Sequence, residues 1–328
     1  MGASTASYVN EAYHDMSDES PMDLAGLKHE QMERSDHNSK TNGISQHSRT
    51  LVSVVIPSRN SKSTIADCLK SVISQLHRPI EVIVVDSFSS DSTAEIARTM
   101  GATVMLHDDG RSAQKNWGAR FAKGEYLYFV DADFKLEPSV ITICLEAVEG
   151  ADGVVIRNQD ITRGSKVSQL IASRRKILSY DPLNVAIRFV RKDVFDRLGG
   201  FDLDLYIGQD TDFHQRFLRQ GFKMRYSTAR EWHLGSPVNL KDFVMGNLYY
   251  SPNLLRSTSK QPLSFLKRVN PLRTVSAWKR NDARSSDLLP VVLLGFLSIT
   301  TLLLGVLLGL PAREGSPSAK RSSSRTSE

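Results

Sequence analysis

Cysteine is nearly absent: only Cys68 and Cys144 occur, with no CxxC spacing. That excludes a disulfide-stapled scaffold and a cysteine-built zinc site, and leaves each thiol as a small buried hydrophobe on a helical pattern. Residues 1–50 lack a sustained apolar period and are rich in Ser, Asp, Asn, His and Gly, so a disordered tail is expected there. His14, His29, His37 and His47 are irregularly spaced in that tail and read as solvated side chains. No basic-then-apolar signal peptide is expected, and Ala6 stands where a myristoylation motif needs Ser or Thr. Evenly spread positive charge is missing too: of the net +6, more than the whole excess follows Ser251. No nucleic-acid partner is therefore expected, because a basic skirt near one end suits a membrane surface.

What is present from Leu51 onward is alternation of strand and helix. LVSVVI (51–56), EVIVV (81–85), ATVML (102–106), YLYFV (126–130) and GVVI (153–156) read as strands, the last of these as a fifth strand. Between them Ile65, Leu69, Val72, Ile73 and Leu76 recur at helical spacing, with Ser61 or Ser63 as the expected cap. Ser92 and Glu95 form an expected capping box, and a third helix is predicted over about 112–122. Such alternation predicts an α/β fold with a mainly parallel sheet and right-handed crossovers. Ligands bind such sheets at the carboxyl ends of the strands. Those ends are polar here: Ser58, Arg59 and Asn60, then Asp86, then Asp131 and Asp133.

Residues 288–310 form an uncharged apolar run, long enough at ~1.5 Å per residue to cross the ~30 Å hydrocarbon of a bilayer. Its amino-terminal flank is the more densely basic, with Lys267, Arg268, Arg273, Lys279, Arg280 and Arg284. The positive-inside rule then predicts a single-pass membrane protein with its main domain on the cytoplasmic face. The expected division is a tail (1–50), an α/β domain (51–250), a basic juxtamembrane segment (251–287), a transmembrane helix (288–310) and a polar tail (311–328).

Two carboxylates at a strand's end offer hard oxygen ligands to Mg²⁺ or Mn²⁺, with phosphate oxygens and water completing the shell. A D-x-D string alone is also an ordinary solvated turn. Here it aligns with VIPSRN (55–60), VVDSFSSDST (84–93), RSAQKNWGARFAKGEYLYFVDAD (111–133) and GGFDLDLYIGQDTDFHQRFLRQGFKM (199–224). In that order and spacing the segments resemble the family 2 glycosyltransferases of the GT-A fold, over roughly 51–250.

The resemblance implies inverting transfer of a sugar from a nucleotide-diphosphate donor, with a divalent cation as cofactor. It implies that Pro57 and Asn60 lie on the first nucleotide loop, that Asp86 reads the base edge, and that Arg111 puts a cation near the nucleotide. Asp131 would meet the ribose or a metal-bound water, and Asp133 and His233 would hold the metal. Asp210 would be the base, with Gln209 replacing the acid that usually precedes it. Independently, a carboxylate at 86 accepts from the imide of uracil or guanine, a donor that cytosine lacks. Asp212 reads as a first-turn acid complementing the helix dipole, and Trp117 as a packing residue.

The acceptor is less legible. RGSKVSQLIASRRKILSY (163–180) carries Arg174, Arg175 and Lys176, which are surface cations or holders of a lipid phosphate; Arg188 and Arg191 are further candidates. A lipid-linked or glycan hydroxyl competes with a polyprenyl phosphate as acceptor, and membrane lipids are expected partners. A sugar nucleotidyltransferase would need a Gly-rich, Arg-containing loop where IPSRNSKS stands, and a dehydrogenase would need GxGxxG after a strand. A polymer-extruding synthase would need more spans. A non-catalytic membrane scaffold retaining the fold is the alternative of another class.

Overall fold

The computed structural model describes residues 49–309 except 109, 161–164, 182, 206, 236, 238, 254–270 and 280–284. The two expected tails and most of the basic segment after 253 lie outside the described residues.

The apolar runs form strands where expected: β1 (Val52–Ser58), β2 (Ile80–Asp86), β3 (Thr103–Leu106), β4 (Tyr126–Phe129) and β6 (Gly153–Asp160). Three further strands were not anticipated: β5 (Phe134–Leu136), β7 (Ile187–Arg191) and β8 (Met224–His233). GVVI is thus in the sixth strand, not the fifth. The sheet has eight strands in the order β3-β2-β1-β4-β7-β6-β8-β5. Its β3-β2-β1-β4 half is parallel; β7 pairs antiparallel with β4 and β6, and β5 antiparallel with β8. Mixed pairing of this kind is common where a parallel sheet carries added strands.

Alternation along the strands sorts side chains into two cores. Val54 and Ile56 of β1 face helices α1 (Ile65–Ile73), α2 (Thr93–Thr99) and α4 (Val140–Ala147), where Leu69, Ala97 and Ile141 meet them. Val55 faces the opposite side, with α3 (Arg111–Phe121), α6 (Lys192–Arg197) and α7 (Gln209–Arg219), through Ala119, Phe195 and Phe213. Gly118 permits the close seat of α3, since a Cβ there would lie 2.5 Å from Val55 Cγ1. Both cysteines are buried, on α1 and α4, and burial is the main cause pushing Cys144 up to about 12.

The expected caps are corrected. Thr64, not Ser61 or Ser63, precedes α1, and its hydroxyl donates back to the Ser61 carbonyl at 3.3 Å. Ser92 precedes α2 without a side-chain cap; Asp91 accepts the Thr93 amide at 3.0 Å instead.

A second helical layer comprises α5 (Lys166–Leu178), α8 (Leu240–Tyr250), α9 (Pro271–Lys279) and α10 (Ser285–Leu307). Ile171 of α5 and Phe243 of α8 pack on Leu294 of α10; Ile177 of α5 packs with Ala277 and Val291. Within α10, Leu288–Leu307 is long and apolar enough to cross a membrane, and only 28% of that window is buried.

Candidate active site

The carboxyl ends of β1, β2 and β4 make one rim. Ser58 and Asp86 are register partners, and Ser58 Oγ donates to Asp86 Oδ2 at 2.8 Å. Asp86 is buried and also accepts from Ser89 N and Ser89 Oγ, at 2.8 and 2.6 Å. Asn60 receives Ser90 N on its Oδ1 at 2.9 Å and donates its own amide to Ser89 Oγ at 2.8 Å. Both loops are therefore fixed to one another. Gln114 of α3 closes the rim from beneath, donating to the carbonyls of Ser58 and Val85 at 2.9 and 2.7 Å. Pro57 is a correction: it lies inside β1, buried and paired with Val85, rather than on the loop.

On the same helix Lys115 joins two of the nominated acids. Its side chain is 1% exposed, and Nζ lies 2.9 Å from Asp210 Oδ1 and 3.8 Å from Asp131 Oδ1. It also lies over the Phe201 ring, 5.1 Å from the centroid. Burial pushes the Asp131 carboxyl up, but Lys115 foremost, then Arg111, Arg188 and His233, outweigh it and hold Asp131 below the usual carboxylate range. Arg111 begins α3 one turn before Lys115. The field of Asp131 chiefly, with those of Tyr250, Asp210 and Asp133, lifts its guanidinium further above its ordinary range.

Asp210 occupies the first turn of α7, directly after the left-handed Gly208 and buried Gln209. Asp212 turns elsewhere and pairs with Arg216 at 2.8 Å, as its different helix face requires. The GGFD turn is fixed to α3 by Asn116, which donates to Phe201 O at 2.8 Å and accepts Phe201 N at 2.9 Å. Trp117 packs, stacked on His107 at 4.7 Å.

Asp133 and His233 meet on the other side of the rim. His233 Nε2 lies 3.1 Å from Asp133 Oδ2, and its Nδ1 receives Arg175 Nη1 at 3.0 Å. A guanidinium only donates, so Nδ1 accepts, and in the neutral ring Nε2 carries the proton to Asp133. Buried Asp160 of β6, the register partner of His233, lies 3.7 Å from Nδ1. Gly235 keeps this corner open, because a Cβ there would stand 2.4 Å from Asp133 Oδ2.

A divalent cation fits this corner by donor chemistry once the ring proton moves from Nε2 to Nδ1, toward Asp160, with Arg175 then held by Asp160 alone. One carboxylate oxygen and one imidazole nitrogen at 3.1 Å have about the separation of adjacent ligands in an octahedron with ~2.1 Å bonds. Among the described residues no three His, Cys, Asp or Glu converge on one point. Asp131, turned to Lys115, does not join the pair directly. Mg²⁺ and Mn²⁺ sites of this kind are completed by phosphate oxygens and water.

The placement of three residues escaped the sequence reading. Lys115 had one signal, its i+4 spacing from Arg111 on a single helix face. Arg175 was read with the acceptor, and instead supports His233 and Asp160. Arg188, another candidate for a lipid phosphate, is buried in an ion pair with Glu231, whose Oε2 accepts Tyr128 Oη at 2.7 Å.

Comparisons with known proteins agree with this architecture. Residues 53–201 match the model of glycosyl transferase family 2. The glycosyltransferase GlyG of Streptococcus pneumoniae is 31% identical over 32% of this chain and 38% of its own length. The glycosyltransferase AglE of Haloferax volcanii is 29% identical over 54% of this chain and 64% of its own. The chain thus spans less than two thirds of either relative. Among solved structures, the mannosyltransferase PcManGT of Pyrobaculum calidifontis, in complex with GDP-Man and Mn²⁺, superimposes with a TM-score of 0.50. It covers 84% of this chain and 79% of its own at 17% identity, a likeness of fold. Asp210 and His233 lie beyond the segment matched by the family model, which ends at residue 201. By its matched segment, its sheet and its acidic rim, this chain is similar to the glycosyl transferase family 2 proteins, whose domain residues 53–201 match.

Proposed function

We propose that this chain is a membrane-anchored inverting glycosyltransferase that moves a sugar from a nucleoside-diphosphate donor to a hydroxyl of a lipid-linked or glycan acceptor. The observation that carries the reading is the buried Lys115 ammonium, 2.9 Å from Asp210 and 3.8 Å from Asp131. It ties the acid nominated as base to the acid nominated for the donor.

In this reading Asn60 and Asp86 hold the nucleotide, and Pro57 shapes the first loop from within β1. Asp86 exchanges a serine hydroxyl for the imide N–H of a uracil or guanine base. Arg111 and Asp131 border the diphosphate and ribose, while Asp133 and His233 hold the cation. A Mn²⁺ or Mg²⁺ there supplies Lewis-acid stabilisation of the leaving diphosphate. Lys115 occupies Oδ1 of Asp210 and leaves Oδ2 for the acceptor. The acceptor oxygen bonds to the anomeric carbon from the face opposite the diphosphate, and its proton passes to Asp210. The carbon–oxygen bond to the diphosphate breaks with its electron pair going to phosphate, beside Arg111. Residues 51–250 act as the catalytic domain at the cytoplasmic face, 251–287 as the juxtamembrane segment, and 288–310 as the single span.

A polyprenyl phosphate is the second acceptor reading, favoured by the packing of α10 against α5, the helix that carries Arg174 and Arg175. Asp210→Asn separates the two readings, assayed for transfer with UDP-, GDP- and dTDP-sugars and Mn²⁺. For a hydroxyl acceptor the loss is about 10²- to 10⁴-fold, because the amide takes no proton. A rate within a few-fold of the parent at unchanged donor affinity would move the ionised phosphate acceptor to first place. No turnover of any donor by the parent would overturn the catalytic reading.

A further inference from the structure

Val167, Leu170, Arg174 and Ile177 recur along α5 at the spacing of one helix face. The apolar members of that face are covered by α10. Val167 and Leu170 join Leu294 and Leu297, and Ile177 joins Val291. The two helices therefore run antiparallel, and Arg174 lies level with the turn between Val291 and Leu294. The apolar window of α10 begins at Leu288. Arg174 is thus about 5–9 Å inside its amino-terminal end, a depth from which an arginine stem reaches the head-group layer.

Arg174 is half-buried, yet among the described residues no hydrogen bond or ion pair reaches it. Its guanidinium is pulled below its ordinary range by burial first and by the like charge of Arg175 second. The other nominated cations are placed differently: Arg175 pairs with Asp160, Arg188 with Glu231, and Arg191 with Asp193, while Lys176 is exposed. Residues 288–307 contain no acid that could serve as counter-ion. A half-buried guanidinium with no carboxylate partner, at head-group depth, calls for an anion from outside the protein.

We propose that Arg174 binds the phosphate of a membrane lipid where α5 crosses the amino-terminal end of α10. The site adjoins the catalytic rim, because the next residue, Arg175, donates to His233 at 3.0 Å. A lipid phosphate held there lies beside the place where a lipid-borne acceptor must enter. The inference rests on the reading of α10 as a membrane helix and uses no chemistry at Asp133 or Asp210.

The test uses the full chain in phosphatidylcholine nanodiscs, titrated with radiolabelled phytanyl phosphate, with phytanol as the phosphate-free control. Arg174→Gln is expected to weaken phytanyl phosphate binding about tenfold or more, the scale of a lost charge-assisted pair. Lys176→Gln is expected to change it less than about twofold, as for an exposed cation. Arg174→Leu should fold at least as well as the parent, since it removes an uncompensated buried charge, and should still lose the phosphate. Equal binding by parent and Arg174→Leu overturns the proposal, as does equal retention of phytanol or full competition by inorganic phosphate. Adding phosphatidylglycerol distinguishes the lipids: displacement means that ordinary head groups occupy the site, and no displacement means an acceptor-type monophosphate; each supports a lipid phosphate. Mn²⁺-dependent nucleoside diphosphate binding, measured on the same samples, belongs to the functional reading. Its failure with lipid binding intact removes that reading alone, and the converse result removes this inference alone.

Discussion

The polar rim at the strand ends and the outer helical layer are held together in opposite ways. In the rim, Asp86, Asn60, Gln114 and Lys115 each have partners supplied by a neighbouring strand end or helix. In the outer layer, α5, α8 and α10 meet through small apolar clusters, and Leu289, Leu293, Phe296 and Leu307 of α10 face outward. The rim is tied together within the chain, whereas the outer layer leaves apolar side chains of Leu288–Leu307 uncovered, which the proposed function assigns to lipid. The two regions touch at α5, whose Ile171 and Ile177 face α10 while Arg175 reaches His233.

This contrast predicts unequal responses to the same truncation. Leu127 of β4 is fully buried between β1 and β7, and Leu127→Ala is expected to destabilise the folded domain by about 2–5 kcal/mol. Leu293→Ala on the outward face of α10 is expected to change the same unfolding transition by less than about 1 kcal/mol, because in the proposed reading it meets lipid tails as apolar as leucine. Urea unfolding of both variants in detergent measures the difference. Equal losses would merge the helical layer with the sheet core.

A smaller effect comes from His214, buried on α7 one turn after Asp210, with neither ring nitrogen hydrogen-bonded among the described residues. Burial depresses it from 6.5 to about 4. A base whose folded value is depressed stays neutral in the native state while the unfolded chain takes up a proton. Stability is therefore full above pH 6.5 and falls as pH drops from 6.5 toward 4. Between pH 7 and pH 5 the loss is roughly 2 kcal/mol. His214→Leu should flatten the pH dependence of the unfolding midpoint by that amount, and an unchanged slope would assign the acid sensitivity to other groups.

The amino-terminal half of the fold was legible because each strand is an apolar run that ends on polar residues, and β1, β2 and β3 pair in succession. The remainder was not. β5 has only three residues, directly after the acidic loop, and β7 and β8 mix Arg and Glu into their strands because Arg188 and Glu231 neutralise each other in the interior. That pairing joins residues far apart in sequence. The placement of Asp86, Asp131 and Asp133 at strand ends was legible, because each follows an apolar run. Lys115 was not, because a lysine on a polar helix face reads as solvated until Asp210 and Asp131 are brought to it from two other elements. The capping box at Ser92 misled: Ser92 makes no side-chain cap, and the acceptor in that turn is Asp91, which takes the Thr93 amide.

The central claim is that the acidic corner at Asp133 and His233 holds a nucleoside diphosphate through a divalent cation. Calorimetry of the full chain with UDP and GDP, with and without Mn²⁺, tests it most directly by comparing the parent with Asp133→Ala. The account predicts Mn²⁺-dependent binding of at least one nucleotide by the parent and its loss in the variant, with the folded transition retained. Unchanged Mn²⁺-dependent affinity in Asp133→Ala would contradict it.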